Sequence, residues 1–303
     1  MKILLTGGSG MVGRNLLDTA PGTIWAPSSK ELNLLSFSNV SHALKEFQPD
    51  LIIHAAGRVG GIAANMAAPY EFLFENLEMG KNLIAAAKEL PSVKFLNFSS
   101  SCVYPRLGVN PLKEEAILTG ELEPTNEGYA LAKLSVMRLG EFASKNTSLN
   151  FKSLIPCNLY GRYDHFDPIK SHLLPSIMMK VHKAKTENQE TIEIWGTGTV
   201  RREFMFATDL AQITWDCVKI FDQLPSSMNI GLGHDFSILE YYQTAARVLG
   251  FTGDYEFNTS KPEGMKQKLV DNTRMRNLGL RAKTSLEDGI KQTFDFYLST
   301  LES

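Results

Sequence analysis

Cysteine is scarce in this chain. Its 303 residues hold three, Cys102, Cys157 and Cys217, and no two stand at CxxC spacing. That excludes a disulfide framework, offers no zinc-ligand pattern, and fits a reduced, cytoplasmic protein with no metal site. Long apolar runs are missing too: no window reaches about 18 uncharged apolar residues, so no membrane span is expected. The opening MKILLTGG reads as a strand and a turn, without the charged region and long apolar run of a signal peptide. Neither sign of charge dominates. Lys and Arg number 31 against 33 Asp and Glu, which leaves no broad basic field for nucleic acid or a membrane surface. An anionic ligand would have to find its cations locally. Internal repeats, low-complexity tracts and Pro/Gly/Ser-rich linkers are also absent.

What the chain does have is strand alternating with helix. Short apolar runs at 2–6, 51–56, 93–100 and 151–158 read as buried parallel strands, and 23–26 reads as a weaker one. Helical patterns fall at 12–19, 40–47, 64–90 with a break at Pro69, and 128–145. The alternation predicts an α/β fold with a doubly wound parallel sheet and right-handed crossovers. After Gly161 the pattern loosens. Residues 171–185 and 209–222 look helical, 191–195 looks extended, and 227–231 is expected to rejoin the main sheet. The last helix is expected from Thr284, where Thr284-x-x-Glu287 has capping-box spacing. We read residues 1–160 and 202–232 as a dinucleotide-binding domain. Residues 161–201 and 233–303 then form a smaller, interleaved α/β substrate domain.

Two motifs carry chemistry. Gly7, Gly10 and Gly13 in TGGSGMVG follow the first strand and open a helix. Glycines here permit a tight turn, close approach of a pyrophosphate and close helix–strand packing. The backbone of Met11 and Val12 faces the phosphates at the helix N-terminus. The spacing, GxxGxxG, resembles the short-chain dehydrogenase/reductase superfamily. The stretch after the second strand, Ala26-Pro27-Ser28-Ser29-Lys30, has no acid before Lys30. Ser29 and Lys30 suit a 2′-phosphate, so NADP(H) is the expected cofactor. Second, Tyr129-x-x-x-Lys133 puts a phenol and an ammonium on one helix face, and Ser100 ends the fourth strand. Hydride addition to a ketone leaves an oxygen that needs a proton. Tyr129 is the expected general acid, Ser100 orients the carbonyl, and Lys133 lowers the phenol's pKa and clamps the ribose. Alone, either motif also fits an ordinary turn or a solvated pair. Cys157 and Cys217 read as core, and His54 as structural or cofactor-adjacent.

Longer segments carry a more specific likeness: GRVGGIAANMAAPYEFLFEN (57–76), SSSCVYP (99–105), ELEPTNEGYALAK (121–133), PCNLYGRYD (156–164), SHLLP (171–175) and WGTGTVRREF (195–204). Together they resemble the GDP-L-fucose synthase family, extended short-chain reductases, from the first strand to about residue 271. The resemblance implies epimerisation of a GDP-4-keto-6-deoxy sugar at C3 and C5, then reduction at C4 with NADPH. It assigns the proton transfers to Cys102 and His172, the latter also against the cofactor. Arg202 would hold the pyrophosphate, with Lys180 and Lys268 as further cations. Asn158 and Trp195 would line the sugar and nucleotide site, and Lys268 closes the late basic loop SKPEGMKQK (260–268). A homodimer is implied, paired through 64–90 and 128–145. Four alternatives stay open: a GDP-colitose synthase, a GDP-6-deoxy-heptose enzyme, a reductase without epimerase activity, and a non-catalytic dinucleotide-binding regulator.

Overall fold

The computed structural model describes residues 1–167, 171–261 and 265–301. In chain order the elements are β1 (Ile3–Thr6), α1 (Met11–Asp18), α2 (Phe37–Phe47), β2 (Leu51–His54), α3 (Ile62–Ala67), α4 (Pro69–Ala87), β3 (Val93–Phe98), α5 (Glu127–Asn146), β4 (Leu149–Pro156), β5 (Asn158–Tyr160), α6 (Leu173–Thr186), β6 (Thr191–Trp195), β7 (Arg201–Arg202), β8 (Phe204–Phe206), α7 (Ala207–Lys219), β9 (Ser227–Ile230), β10 (Phe236–Ser237), α8 (Ile238–Leu249), β11 (Asp254–Asn258), β12 (Gln267–Lys268), α9 (Thr273–Asn277) and α10 (Leu286–Leu301).

The main sheet runs β1-β2-β3-β4-β9, all parallel. Its strands are short and apolar because both faces are covered. Alternate residues show this. Ile3, Leu5, Leu51 and Ile53 join a core with Leu16 of α1 and Leu210 of α7. Leu4 and Ile52 point the other way, into a core with Leu44 of α2, Leu83 of α4 and Val136 of α5. Trp25 bridges to Leu4, so the chain visits one side of β1 before crossing to β2 on the other. That reversal opens a crevice above the strands' C-terminal ends, where open α/β sheets take ligands. A third core gathers Ile177 and Val181 of α6, Ile192 and Ile194 of β6, Tyr241 and Ala245 of α8, and Ile290 of α10. Phe204 and Phe206 of β8 also enter it. Beside it, β11 pairs with β6 in parallel, and β7 lies between β10 and β12.

Two local expectations need correction and one is met. The stretch 23–26 forms only the single bridge at Trp25; Pro21 and Pro27 bracket it, and proline cannot donate to a ladder. The break expected at Pro69 is present: α3 ends at Ala67 and Pro69 is the first residue of α4, where its missing N–H costs nothing. The last helix starts at Leu286, capped by Ser285, whose hydroxyl accepts from Asp288 N–H at 3.1 Å. Thr284 instead gives its N–H and hydroxyl to the buried Asp209 carboxylate, at 2.9 and 3.0 Å.

Candidate active site

The glycine loop is shaped to hold a pyrophosphate. Gly7 has φ +77°, and a Cβ there would stand 2.5 Å from Ala56 N; one on Gly13 would stand 2.1 Å from Gly7 O. Only glycine fits either position. The first bond inside α1 runs from Arg14 N–H to Gly10 O at 2.8 Å. The amides of Met11, Val12 and Gly13 therefore have no partner within the helix, and Gly10 supplies no side-chain cap. This cradle of N–H groups at a helix start fits an anionic dinucleotide. Nearby, Glu31 is tied to Ser28 through its N–H and hydroxyl, both at 2.8 Å. Ser29 and Lys30 stay exposed.

His54 lies at the end of β2, 2% exposed, with Nδ1 2.8 Å from Thr6 Oγ1. Burial lowers its pKa to about 3, so its ring is neutral and structural. Cys157 and Cys217 are buried, at 5% and 0% exposure.

The end of β3 delivers Ser100, which starts the single helical turn Ser101–Val103 and accepts from Cys102 N–H at 3.2 Å. Tyr129, near the start of α5, lies close enough to Ser100 for that hydroxyl to stabilise its ionised form. Lys133, one turn on, is 7% exposed and donates to Phe98 O at 3.0 Å. Here the structure departs from expectation. Burial, not Lys133, sets the direction of the phenol's pKa. The Lys133 Nζ is 5.8 Å from the ring centroid, and burial pulls the ammonium's own pKa down to about 8. Burial, and then the charge that Cys102 would carry, push Tyr129 well above the usual phenol value. The resting phenol is therefore fully protonated, as a proton donor must be.

Cys102 is half-buried. Its Sγ accepts from Asn126 Nδ2 at 3.2 Å and faces Lys268 Nζ at 3.6 Å. Contacts thus link Ser100, Cys102, Tyr129, Lys133 and Lys268. Asn126 was not singled out in the sequence, although it lies in the quoted segment 121–133; its carbonyl oxygen is buried without a partner. His172 is not joined to this chain of contacts. It stands just before α6, with Nδ1 3.4 Å from Asp164 Oδ1.

Arg202 sits mid-sheet on β7, in register with Lys268 of β12, and donates to Arg201 O at 2.8 Å. Its half-buried guanidinium is shifted down by desolvation. Trp195 is 53% exposed, with the ammonium groups of Lys180 and Lys261 each 5.2 Å from its ring. Lys180 also donates to Glu193 O at 3.3 Å. This aromatic plate flanked by two cations suits a nucleotide. Lys261 went unremarked in the sequence because it was one of several lysines in a single run; residues 262–264 of that run lie outside the described residues. Asn158 donates to Glu203 O at 3.0 Å, tying β5 toward β8. Glu203 was missed altogether. It is 1% exposed, accepts from Gly233 and Val270 N–H, and burial lifts its pKa to about 7. Among the described residues, no helix is long and apolar enough to cross a membrane.

Residues 3–231 match the model of the NAD dependent epimerase/dehydratase family. The chain is 46% identical to a GDP-L-colitose synthase of Yersinia pseudotuberculosis, covering 99% of this chain and 98% of that one. It is also 46% identical to a GDP-L-fucose synthase of Azorhizobium caulinodans, covering 98% and 96%. Among solved structures it resembles a GDP-mannoheptose C4 reductase from Campylobacter jejuni with NADP bound, at TM-score 0.90 and 31% identity, with 98% of each chain covered. The chain therefore belongs to the NAD dependent epimerase/dehydratase family and, within it, to the GDP-L-fucose synthase group of NADP-dependent nucleotide-sugar epimerase/reductases.

Proposed function

We propose that this enzyme epimerises a GDP-4-keto-6-deoxy sugar and then reduces it at C4, with GDP-L-fucose as product. The observation that carries the reading is the linked cluster at the sheet's C-terminal edge, where a phenol, a hydroxyl and a thiol meet two lysines. The C3 and C5 protons are acidic because both carbons flank the C4 ketone. Cys102 and His172 move protons on opposite faces of the sugar. The Asn126 amide and the Lys268 ammonium hold the sulfur in place, at 3.2 and 3.6 Å. Bound NADPH supplies hydride to C4. Ser100 orients the C4 oxygen, Tyr129 protonates it, and Lys133 supports the phenolate left behind. Gly7, Gly10, Met11, Val12 and Gly13 hold the pyrophosphate of the cofactor, and Ser29 and Lys30 its 2′-phosphate. Arg202, Lys180 and Lys268 bind the sugar nucleotide, with Trp195 and Asn158 lining its site.

In this reading, 1–160 and 202–232 carry the cofactor and 161–201 with 233–303 the substrate, in a cytoplasmic homodimer. The outward apolar residues Tyr70 and Phe74 on α4 and Leu131, Leu139 and Phe142 on α5 support pairing through those helices. A GDP-colitose synthase is the second reading, since a relative of that name is equally similar.

Incubation with the keto-sugar and NADPH in D2O separates these. Deuterium at C3 and C5 is expected, with Tyr129→Phe losing roughly 100-fold or more in hydride transfer. Exchange at C5 alone on a 3-deoxy substrate would favour the colitose reading. Near-parental turnover in Tyr129→Phe would remove the assignment of the proton donor.

A further inference from the structure

We propose that Asp164 is the positioning residue for His172, holding the imidazole through Nδ1 so that Nε2 is the edge presented to the sugar. The inference rests on the epimerase reading above. The Asp164 side chain is 2% exposed. Its Oδ1 accepts from His165 N–H at 2.8 Å and faces His172 Nδ1 at 3.4 Å. Its Oδ2 is buried without a partner. A carboxylate so placed is costly unless a cation stands beside it. Among the described residues, His172 is its one cationic partner within 4.0 Å.

The backbone around Asp164 is also built to aim it inward. Tyr163, directly before it, has φ +70°, a left-handed conformation that non-glycine residues seldom adopt and that surrounding contacts must enforce. Two of those contacts come from α1, the helix of the glycine loop, and another from Phe296 of α10, whose ring centroid lies 5.0 Å from that of Tyr163. The Tyr163 hydroxyl donates to Asp18 at 2.8 Å, and the Arg14 guanidinium lies 4.1 Å from its ring centroid. Asp164 N–H closes the turn onto Gly161 O at 3.2 Å. The helix that cradles the cofactor thus braces the turn that orients the epimerising histidine.

With Nδ1 facing a carboxylate, the proton that moves is the one on Nε2. In reprotonation, the electron pair of the enolate at C3 or C5 takes that proton and a C–H bond forms. The Nε2–H bond breaks, the imidazolium becomes imidazole, and Asp164 stays ionised throughout. The carboxylate also raises the imidazole's proton affinity against the opposing effect of burial.

NMR titration of the His172 ring in the full-length protein tests the pair without substrate, the signal being assigned by its loss in His172→Gln. The parent ring is expected to titrate above 6.5 and to fall in Asp164→Asn. A parental ring at or below that value, or one unmoved in Asp164→Asn, would overturn the proposal. In D2O, Asp164→Asn should lose about 10- to 100-fold in deuterium exchange, part of what a general acid contributes. NADP-dependent oxidation of GDP-L-fucose, which needs no epimerisation, should stay near the parental rate. Asp164→Glu keeps the charge and should recover part of the exchange. If Asp164→Asn does not fold, the parental titration and Asp164→Glu decide. Should the parent neither exchange nor transfer hydride, the epimerase reading fails while the titration still judges the pair.

Discussion

Replacing Lys133 with Met should make the unliganded protein more stable while removing its activity. The side chain is 7% exposed, and its ammonium donates to Phe98 O, its one bond among the described residues. Burial alone lowers its pKa from 10.5 to about 8. At about 1.4 kcal/mol per pH unit, that gap makes the charged form cost about 3 kcal/mol at pH 7. Methionine fills similar space without the charge but leaves the Phe98 carbonyl unpaired, which costs about 1–2 kcal/mol. The net gain is about 1–2 kcal/mol, or roughly 2–3 °C in thermal midpoint for a chain of this length. The pH dependence follows. Between pH 8 and 10.5 the unfolded chain binds more protons at this position than the native one, so parental stability rises with pH. The variant's advantage should therefore shrink over that window. Calorimetry of both proteins at pH 7 and pH 10 checks this. A Lys133→Met variant that melts at or below the parent at pH 7, with unchanged circular dichroism, would refute the view that this ammonium is held at a cost.

Two further outcomes are expected. Lys268→Met should slow deuterium exchange at C3 and C5 roughly tenfold, by removing the cation 3.6 Å from the Cys102 sulfur, and an unchanged rate would remove Lys268 from that role. His54 binds its proton less tightly when folded, near 3 against 6.5, so stability should fall as pH drops below 6.5. His54→Gln should flatten that slope by about 3 kcal/mol at pH 4, measured by urea unfolding.

The parts of this molecule legible in the sequence are those whose physics is local. A buried strand ending in glycines, a helix whose i and i+4 positions carry Tyr129 and Lys133, and a proline that opens a helix can each be read from neighbours in the chain. Ser100 could be paired with Tyr129 because one ends a strand and the other begins the next long helix. Asn126 could not be paired with Cys102, or Asp164 with His172, because those contacts depend on how loops fold over the sheet. Glu203 was invisible for the same reason: its partners, Gly233 and Val270, are 30 and 67 residues away. The influence of Lys133 on Tyr129 was misjudged because desolvation, which spacing cannot reveal, outweighs the pairwise attraction.

The two-residue strand β12 has an architectural consequence. It is anchored on β7 by a ladder that matches Lys268 to Arg202 and Gln267 to Arg201. Segments on either side of it can change length or composition through evolution, as surface connections commonly do. A shift of one residue within the ladder would turn Lys268 to the opposite face and strip the thiol of its neighbour while leaving the fold intact. New sugar specificities are therefore most accessible through the flanking loops, and this short ladder is the hinge of the design that diversification must leave alone.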